Sequence, residues 1–164
     1  MMRLVMLIAG ALAILVAVVV AIGYALPVAH VASREAALPA APGQVFAALQ
    51  DVDRYASWRS DVKSVEVLAR APQLRWKETG SNGEITFEIE EQDVPRRLVT
   101  RIADRSLPFG GSWTYVLTPS GTGTQLTITE HGEVYNPLFR FMSRFVFGHT
   151  ATIETYLRDL QRHL

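Results

Sequence analysis

His149 is a histidine, the side-chain type whose unperturbed pKa lies nearest to neutral pH. It falls in a stretch where apolar residues, from Leu138 through Tyr156 to Leu160, recur at spacings of three and four. This pattern predicts one amphipathic helix from Asn136 to the C-terminus. A neutral imidazole on its apolar face could hydrogen-bond a ligand carbonyl or act as a general acid or base. The alternative is a histidine that a strand residue or water satisfies, with no functional role.

Glu130 is the second candidate, because it continues the strand alternation of Ile128 and therefore points inward, while His131 points outward. A buried carboxylate needs a partner or a raised pKa. His149 or Arg101 could supply that partner, although we expect Arg101 to point outward, since the alternate set of residues on its strand is more apolar. The alternative places Glu130 in solvent at the mouth of a cavity.

Aromatic and apolar side chains on the inward faces of the strands and of this helix could line a ligand-binding cavity. In such sites apolar walls supply affinity and a few polar groups orient the ligand. For each aromatic residue the alternative is ordinary core packing. The predicted ligand-binding residues are Trp76, Phe87, Trp113, Tyr115, Glu130, Met142, Phe145, His149 and Tyr156.

The sequence lacks the motifs that several other kinds of site require. The absence of cysteine excludes disulfides, thiolate metal sites and cysteine nucleophiles. Asp51, Asp53 and Asp61 match no oxygen-ligand loop such as the EF-hand, and no phosphate-binding loop or dinucleotide fingerprint occurs. We therefore predict no metal, no cofactor and no catalytic residue. The 16 basic and 16 acidic residues form no basic stripe, which argues against nucleic acid as a partner.

Alternating apolar residues predict the strands that position these side chains. Phe87 and Ile89 alternate with polar residues after Asn82-Gly83, a strong hairpin signal. A first strand from His30 to Pro39 precedes two short helices, and six hairpin-connected strands follow between residues 62 and 134. The prediction is an α+β domain in which the C-terminal helix covers the apolar face of an antiparallel sheet.

The uncharged stretch from Leu4 to Leu26 predicts a membrane-spanning helix. As a helix it would be about 34 Å long, enough to cross a hydrocarbon core of about 30 Å. The alternative is a cleaved signal peptide, for which Gly23-Tyr24-Ala25 is a passable cleavage site, although the apolar core of such peptides usually runs about 7–15 residues. We expect an anchor over residues 1–26, a linker over 27–30 and one domain over 31–164.

The charges that flank this stretch favour a domain outside the cytoplasm. Arg3 precedes it, and His30 and Arg34 follow closely, so the positive-inside bias is small, but a short N-terminal head usually stays in the cytoplasm. We expect a single-pass protein of the cell membrane with an extracytoplasmic domain.

The start of the predicted C-terminal helix is apolar well beyond one stripe, with Arg140 and Arg144 interleaved. One interpretation is a membrane-facing portal, in which aromatic side chains enter the interface and arginines meet head groups. The other is a deeply packed helix start. The apolar residues concerned are Phe139, Phe141, Met142, Phe145, Val146 and Phe147.

The order of short motifs along residues 31–164 resembles the helix-grip superfamily abbreviated SRPBCC. This superfamily includes START lipid-transfer domains, plant pathogenesis-related allergens, and polyketide cyclase/dehydrase and lipid-transport proteins. The C-terminal helix completes the resemblance. The other motifs are Val45-Phe46 with Leu49, Asp53-x-Tyr55-x-x-Trp58 with Val62 and Val65, Pro95-Arg96-Arg97-Leu98, Gly111-x-Trp113-x-Tyr115-x-Leu117 and Gly123-Thr124-x-Leu126-Thr127.

This resemblance implies a curved antiparallel sheet wrapped around the C-terminal helix, with an apolar cavity between them. The hypothesis is membrane-tethered binding or transport of a small hydrophobic ligand (lipid, isoprenoid or polyketide-like), without catalysis. One alternative is a polyketide cyclase/dehydratase-like enzyme that uses His149 and Glu130 as acid–base groups, and another is an interaction module with a collapsed cavity. An enzyme needs at least two polar side chains converging in the pocket, a carrier needs one or none, and an interaction module needs no pocket.

Overall fold

The computed structural model describes residues 1–164, apart from the side chain of Phe147. The chain begins with helix α1, Met2–Ala25, in which Gly23 is the one buried residue. By length and composition this helix could cross a membrane. It coincides with the stretch that the sequence predicts to be an anchor.

Seven antiparallel strands form one curved sheet in the order β1-β7-β6-β5-β4-β3-β2. From β2 to β7 each strand pairs with the next along the chain, and β1 pairs with β7, so the predicted antiparallel sheet is confirmed. The first strand begins at Ala29, within the segment expected to be a linker. The strands are β1 Ala29–Leu38, β2 Val62–Ala69, β3 Arg75–Gly80, β4 Gly83–Asp93, β5 Arg97–Ile102, β6 Phe109–Ser120 and β7 Gly123–Val134.

Two short helices lie between β1 and β2, as predicted. Helix α2, Pro42–Gln50, starts with a proline, whose fixed φ suits the first turn, and it buries Phe46 and Leu49. A 3-10 turn, Val52–Arg54, leads to α3, Tyr55–Trp58. The buried core of the domain includes Val45, Phe46, Leu49, Val52 and Tyr55 of this segment.

The prediction of one unbroken C-terminal helix is wrong. The segment forms α4, Pro137–Met142, a π-helical turn, Ser143–Phe147, and α5, Ala151–His163. The break falls at Gly148, whose φ of 74° and ψ of 175° lie in a region that essentially only glycine occupies. His149 therefore lies in the break and not in the middle of a helix.

Helix α5 carries the apolar face that the sheet covers. Ile153, Tyr156, Leu157 and Leu160 are buried there at spacings of three and four. The curved sheet and α5 make the predicted α+β helix-grip fold, which is confirmed with a shorter helix than expected.

We expect Gly148→Ala to lower the free energy of unfolding by about 1–3 kcal/mol, because a residue with a Cβ is strained at this backbone conformation. Gly43→Ala in α2 is the matched control, since no atom lies within 4 Å of the position that its Cβ would take, and alanine favours a helix over glycine by about 0.5–1 kcal/mol. Unfolding of the detergent-solubilised variants, followed by circular dichroism, measures the difference. Equal or higher stability of Gly148→Ala would contradict a glycine-dependent break.

Candidate ligand-binding site

A cavity of about 500 Å³ lies between the sheet and the C-terminal helices. This volume is within the range of about 300–1,000 Å³ that is usual for small-molecule sites. The cavity reaches the surface at the break between α4 and α5, where Phe139, Gly148 and Thr152 are exposed lining residues. It also reaches the surface at the β3–β4 turn, beside Asn82 and Gly83.

The structure brings all but one of the predicted ligand-binding residues to this cavity. Phe145 is the exception, because its side chain is 60% exposed and its ring packs on Phe141 with the centroids 4.9 Å apart. The π-helical turn and the break at Gly148 change the helical register, so Phe145 does not share the face that α5 buries. The predicted residues that line the cavity are Trp76, Phe87, Trp113, Tyr115, Glu130, Met142, His149 and Tyr156.

Three aromatic rings form a continuous wall across the inner face of the sheet. Trp76 on β3 is directly opposite Phe87 on β4, and their ring centroids are 5.7 Å apart. The centroids of Phe87 and Trp113 are 5.8 Å apart, in an edge-to-face arrangement. Such pairs favour offset or edge-on geometry, which fixes the rings against each other. The wall offers a ligand a rigid apolar surface.

A buried ion-pair cluster of Arg59, Asp61 and Glu78, which we call the Arg59 cluster, forms one polar part of the lining. Arg59 Nη1 donates to Glu78 Oε1 at 2.9 Å, and its Nη2 and Nε donate to the Asp61 carboxylate at 2.7 and 3.2 Å. Trp76 Nε1 also donates to Glu78 Oε1, at 2.9 Å. Burial raises the pKa of Glu78, and the charge of Arg59 opposes that rise. Arg59 is therefore the main group that stabilises the ionised form of Glu78.

Three buried tyrosines, Tyr55, Tyr115 and Tyr156, surround this cluster. The guanidinium carbon of Arg59 lies 5.0 Å from the ring centroids of both Tyr55 and Tyr156, a cation–π distance. Burial raises the pKa of all three tyrosines, that of Tyr115 to about 12, so their hydroxyls stay protonated at neutral pH. The Tyr55 hydroxyl donates to the Leu49 carbonyl at 2.6 Å. The buried Tyr156 hydroxyl forms no hydrogen bond of ordinary geometry with the described residues.

A second polar group, which we call the His30 cluster, comprises His30, Glu130 and His149. His30 Nε2 lies 3.2 Å from Glu130 Oε1, and Trp113 Nε1 donates to Glu130 Oε2 at 3.1 Å. The His149 ring stacks on that of His30 with the centroids 3.8 Å apart. Burial lowers the pKa of His149, and the nearby His30 and Arg144 add to the effect. His149 is therefore neutral at pH 7 and can donate or accept a hydrogen bond.

The space for this cluster depends on a glycine in β7. Gly132 is directly opposite His30 in the β1–β7 pairing. A Cβ at residue 132 would overlap the His30 imidazole and crowd the Glu130 carboxylate. The missing side chain thus lets the imidazole lie against the strand.

The structure gives Glu130 partners other than those predicted. Arg101 points outward, as expected, and pairs with Glu90 at 3.3 Å. His149 stacks on His30, and neither His149 nor Arg101 is a hydrogen-bond partner of Glu130 in the described part of the chain. The sequence prediction missed His30. Alternation with the buried Ala32 places His30 on the inner face of β1, but no local signal shows that β1 pairs with β7.

The Arg59 cluster was also missed. Glu78 follows Trp76 by two residues on β3, so strand alternation alone would have placed its side chain inward. Arg59 lies between α3 and β2, where no periodicity applies. The cavity surface is mostly apolar, as the sequence predicted, but it carries more polar side chains than expected.

This arrangement can hold a ligand against the aromatic wall and orient it by hydrogen bonds at two places. At the His30 cluster it could also exchange a proton with a bound group. Among the described residues, no group of three or more histidine, aspartate or glutamate side chains is arranged to hold a metal ion.

A family model described as polyketide cyclase/dehydrase and lipid transport matches residues 29–164. No curated protein sequence matches the chain. A solved structure from Thermus thermophilus is similar with a TM-score of 0.69 and 22% identity, covering 81% of this chain and 95% of its own.

Two further solved structures share the fold. A START superfamily protein from Mycobacterium smegmatis has a TM-score of 0.65 and 17% identity, over 82% of this chain and 96% of its own. Norcoclaurine synthase from Thalictrum flavum has a TM-score of 0.66 and 9% identity, over 83% of this chain and 86% of its own. At these identities the likeness concerns the fold alone.

We expect Arg59→Met to lower the free energy of unfolding by about 3–5 kcal/mol, because it leaves the buried Glu78 and Asp61 carboxylates without their cation. Arg70→Met is the matched control. Arg70 pairs with Asp53 at 2.8 Å, but both side chains are more than half exposed, so its loss should cost less than about 1 kcal/mol. Denaturant titration of both variants measures the two losses. Equal losses would contradict a structural role for the buried pair.

Proposed function

Because the chain belongs to the polyketide cyclase/dehydrase and lipid transport family, we propose that it binds or transports a small hydrophobic ligand in its cavity while α1 tethers it to a membrane. The observation that carries this proposal is the cavity of about 500 Å³ with an aromatic wall and two polar clusters. A lipid, isoprenoid or polyketide-like molecule has the apolar surface that such a wall would bury.

The cavity has more converging polar side chains than a carrier needs, which meets the requirement stated above for an enzyme. The proposal keeps binding without catalysis first because these polar groups mostly bond to one another. Arg59 is bonded to both carboxylates of its cluster. Glu130 is bonded to Trp113 and lies within hydrogen-bond distance of His30. Hydrogen-bonded pairs of this kind also occur in catalytic sites, so catalysis is retained as a second candidate. The open cavity also argues against the interaction module with a collapsed cavity.

The proposed tether contacts the domain beside one opening of the cavity. Arg140 Nη1 donates to the Leu26 carbonyl at the end of α1, at 3.0 Å. Gly23 packs so closely on Pro137 that a Cβ would overlap the Pro137 carbonyl. Phe139, two residues further along α4, lines the cavity. This opening would therefore lie near the place where α1 leaves the bilayer.

Exposed apolar side chains at the start of the C-terminal segment support a membrane-facing portal. A bilayer is the occupant that fits them, because α4 packs directly on α1 and the exposed Arg144 could meet lipid head groups. Phe147, which the sequence placed in this portal, lies outside the described side chains. The exposed apolar residues are Tyr135, Leu138, Phe139, Phe145 and Val146.

The side of the membrane on which the domain lies is inferred from the flanking charges alone. Arg3 directly precedes the apolar stretch, whereas the first arginine after it is Arg34, so the positive-inside rule favours the Arg3 side for the cytoplasm. The proposal therefore retains an extracytoplasmic domain in the cell membrane.

A second candidate function is acid–base catalysis of the cyclase or dehydratase kind. The observation that favours it is the His30 cluster, where a carboxylate and two imidazoles converge at the cavity. Glu130, held by His30, could accept a proton from a bound ligand, and the neutral His149 could accept or relay one. This candidate adds His30 to the pair of residues that the sequence proposed for it.

We expect Thr152→Trp to weaken ligand binding about tenfold or more, because the indole would occupy the cavity opening and overpacking costs about 1–3 kcal/mol. Ala151→Trp is the matched control, since Ala151 is equally exposed on the same helical turn but does not line the cavity. Equilibrium dialysis of naphthalenemethanol against the full chain in phosphatidylcholine nanodiscs, corrected for empty nanodiscs, measures the affinity. Absence of saturable binding to the unmodified chain would contradict the proposed function.

We expect a spin label at Phe145→Cys in bilayers to collide more often with oxygen than with a water-soluble nickel complex, because the portal would immerse it in lipid. The chain has no cysteine of its own, so a single site can be labelled. A label at Leu68→Cys, an exposed apolar position on β2, is the control and should show the opposite preference. Equal water accessibility at both sites would count against the portal.

The enzyme candidate predicts turnover of the molecule that copurifies with the chain. In that case Glu130→Gln should lower the rate by about 10²–10⁴-fold, the usual contribution of an acid–base group. Glu90→Gln, on an exposed part of β4, should leave the rate unchanged. Mass spectrometry of the products measures the rate for the unmodified chain and for both variants. A complete lack of product with the unmodified chain would exclude the enzyme candidate for that ligand.

A further inference from the structure

The charged side chains that line the cavity are predominantly acidic. Among the described lining residues, Arg59 is the one lysine or arginine, and it stands against the carboxylates of Asp61, Glu78, Glu130 and Glu133. We infer that the cavity selects a ligand whose polar group is uncharged, such as a hydroxyl or carbonyl, and excludes carboxylates and phosphates. This inference rests on the proposed function and names the ligand class for the same cavity.

Three of the five N–H donors of the single arginine are already used by neighbouring carboxylates. Its Nη1 is used by Glu78, and its Nη2 and Nε are used by Asp61. With both carboxylates ionised, the Arg59 cluster carries a net charge of minus one. An arginine that would otherwise attract an anion is therefore already neutralised, and a ligand carboxylate placed beside it would meet two other carboxylates.

The histidines do not reverse this balance. His149 is neutral at pH 7, as described above. Even a protonated His30 would give the lining two positive groups against four carboxylates. Trp113, which donates to Glu130, is uncharged and cannot cancel that carboxylate. Both polar parts of the cavity therefore oppose a negative charge.

Uncharged hydrogen-bonding groups remain to recognise a neutral ligand. Tyr156 lines the cavity and is 7% exposed, and its hydroxyl has no partner among the described residues. A buried hydroxyl without a partner is costly, so a side-chain movement that exposed the Tyr156 hydroxyl to the cavity would let a ligand hydroxyl or carbonyl form the missing hydrogen bond. Thr100 and Ser143 add further hydroxyls to the lining. A neutral amphiphile or aromatic alcohol matches these groups, whereas an acid does not.

Equilibrium dialysis of naphthalenemethanol and naphthoate against the full chain in phosphatidylcholine nanodiscs tests this selectivity at pH 7.5. The two probes share one aromatic system and differ in the charge of the head group. We expect naphthoate to bind at least about tenfold more weakly. Naphthoate binding as tightly as the alcohol would overturn the inference while leaving the proposed function intact. Failure of both probes to bind would contradict the proposed function and, with it, the inference that rests on it.

Glu130→Gln supplies a second measurement of the same effect. Removing this carboxylate should raise the ratio of naphthoate affinity to naphthalenemethanol affinity about tenfold, because one of the repelling charges is lost from a largely buried site. Glu84→Gln is the matched control, because it removes the same charge from an exposed residue that does not line the cavity. An unchanged ratio of the two affinities in Glu130→Gln, or an equal change in Glu84→Gln, would also overturn the inference.

Discussion

The guanidinium group of Arg59 holds together parts of the chain that are far apart in sequence. It follows α3, pairs with Glu78 on β3 at 2.9 Å, and lies 5.0 Å from the ring centroid of Tyr156 on α5. A buried charge is tolerated when it is paired and fully hydrogen-bonded. Movement of the segment after α3 relative to the sheet would therefore leave a buried charge unpaired, and movement of α5 would take the Tyr156 ring away from the guanidinium. The buried part of the cavity is framed by groups that must keep their positions even when the cavity is empty.

This constraint explains how a domain of this size keeps an open space beside its core. The aromatic wall of Trp76, Phe87 and Trp113 is held from one side by the hydrogen bond of Trp76 to Glu78, and from the other by that of Trp113 to Glu130. Each indole N–H is thus satisfied by a carboxylate of one polar cluster. The same two clusters that hold the wall also set the charge that a ligand meets. Apolar affinity and charge selection would then come from one connected set of side chains.

The cavity wall was predictable from the sequence because strand alternation is a local property, and Trp113 faces inward for that reason. The break in the C-terminal segment was not predictable from the sequence, because a glycine within a helical pattern is compatible with either a continuous helix or a break. In the structure the positive φ of Gly148 ends the helix, and the resulting change of helical register turns Phe145 outward. His30 and Arg59 could not be placed from local pattern. The first acts through the pairing of β1 with a strand about a hundred residues later, and the second lies in a loop whose packing depends on the whole fold.

The central claim is the proposal that the cavity holds a small hydrophobic ligand. Native mass spectrometry of the full chain, extracted with detergent from the cells that naturally produce it, tests this most directly when an organic extract of the same sample is analysed in parallel. The account predicts a complex heavier than the 18.2 kDa chain by the mass of one small molecule, with the same molecule, lipophilic and uncharged, in the extract. A chain that is found only at its own mass, with no molecule enriched over the extract of a control membrane protein, would contradict it.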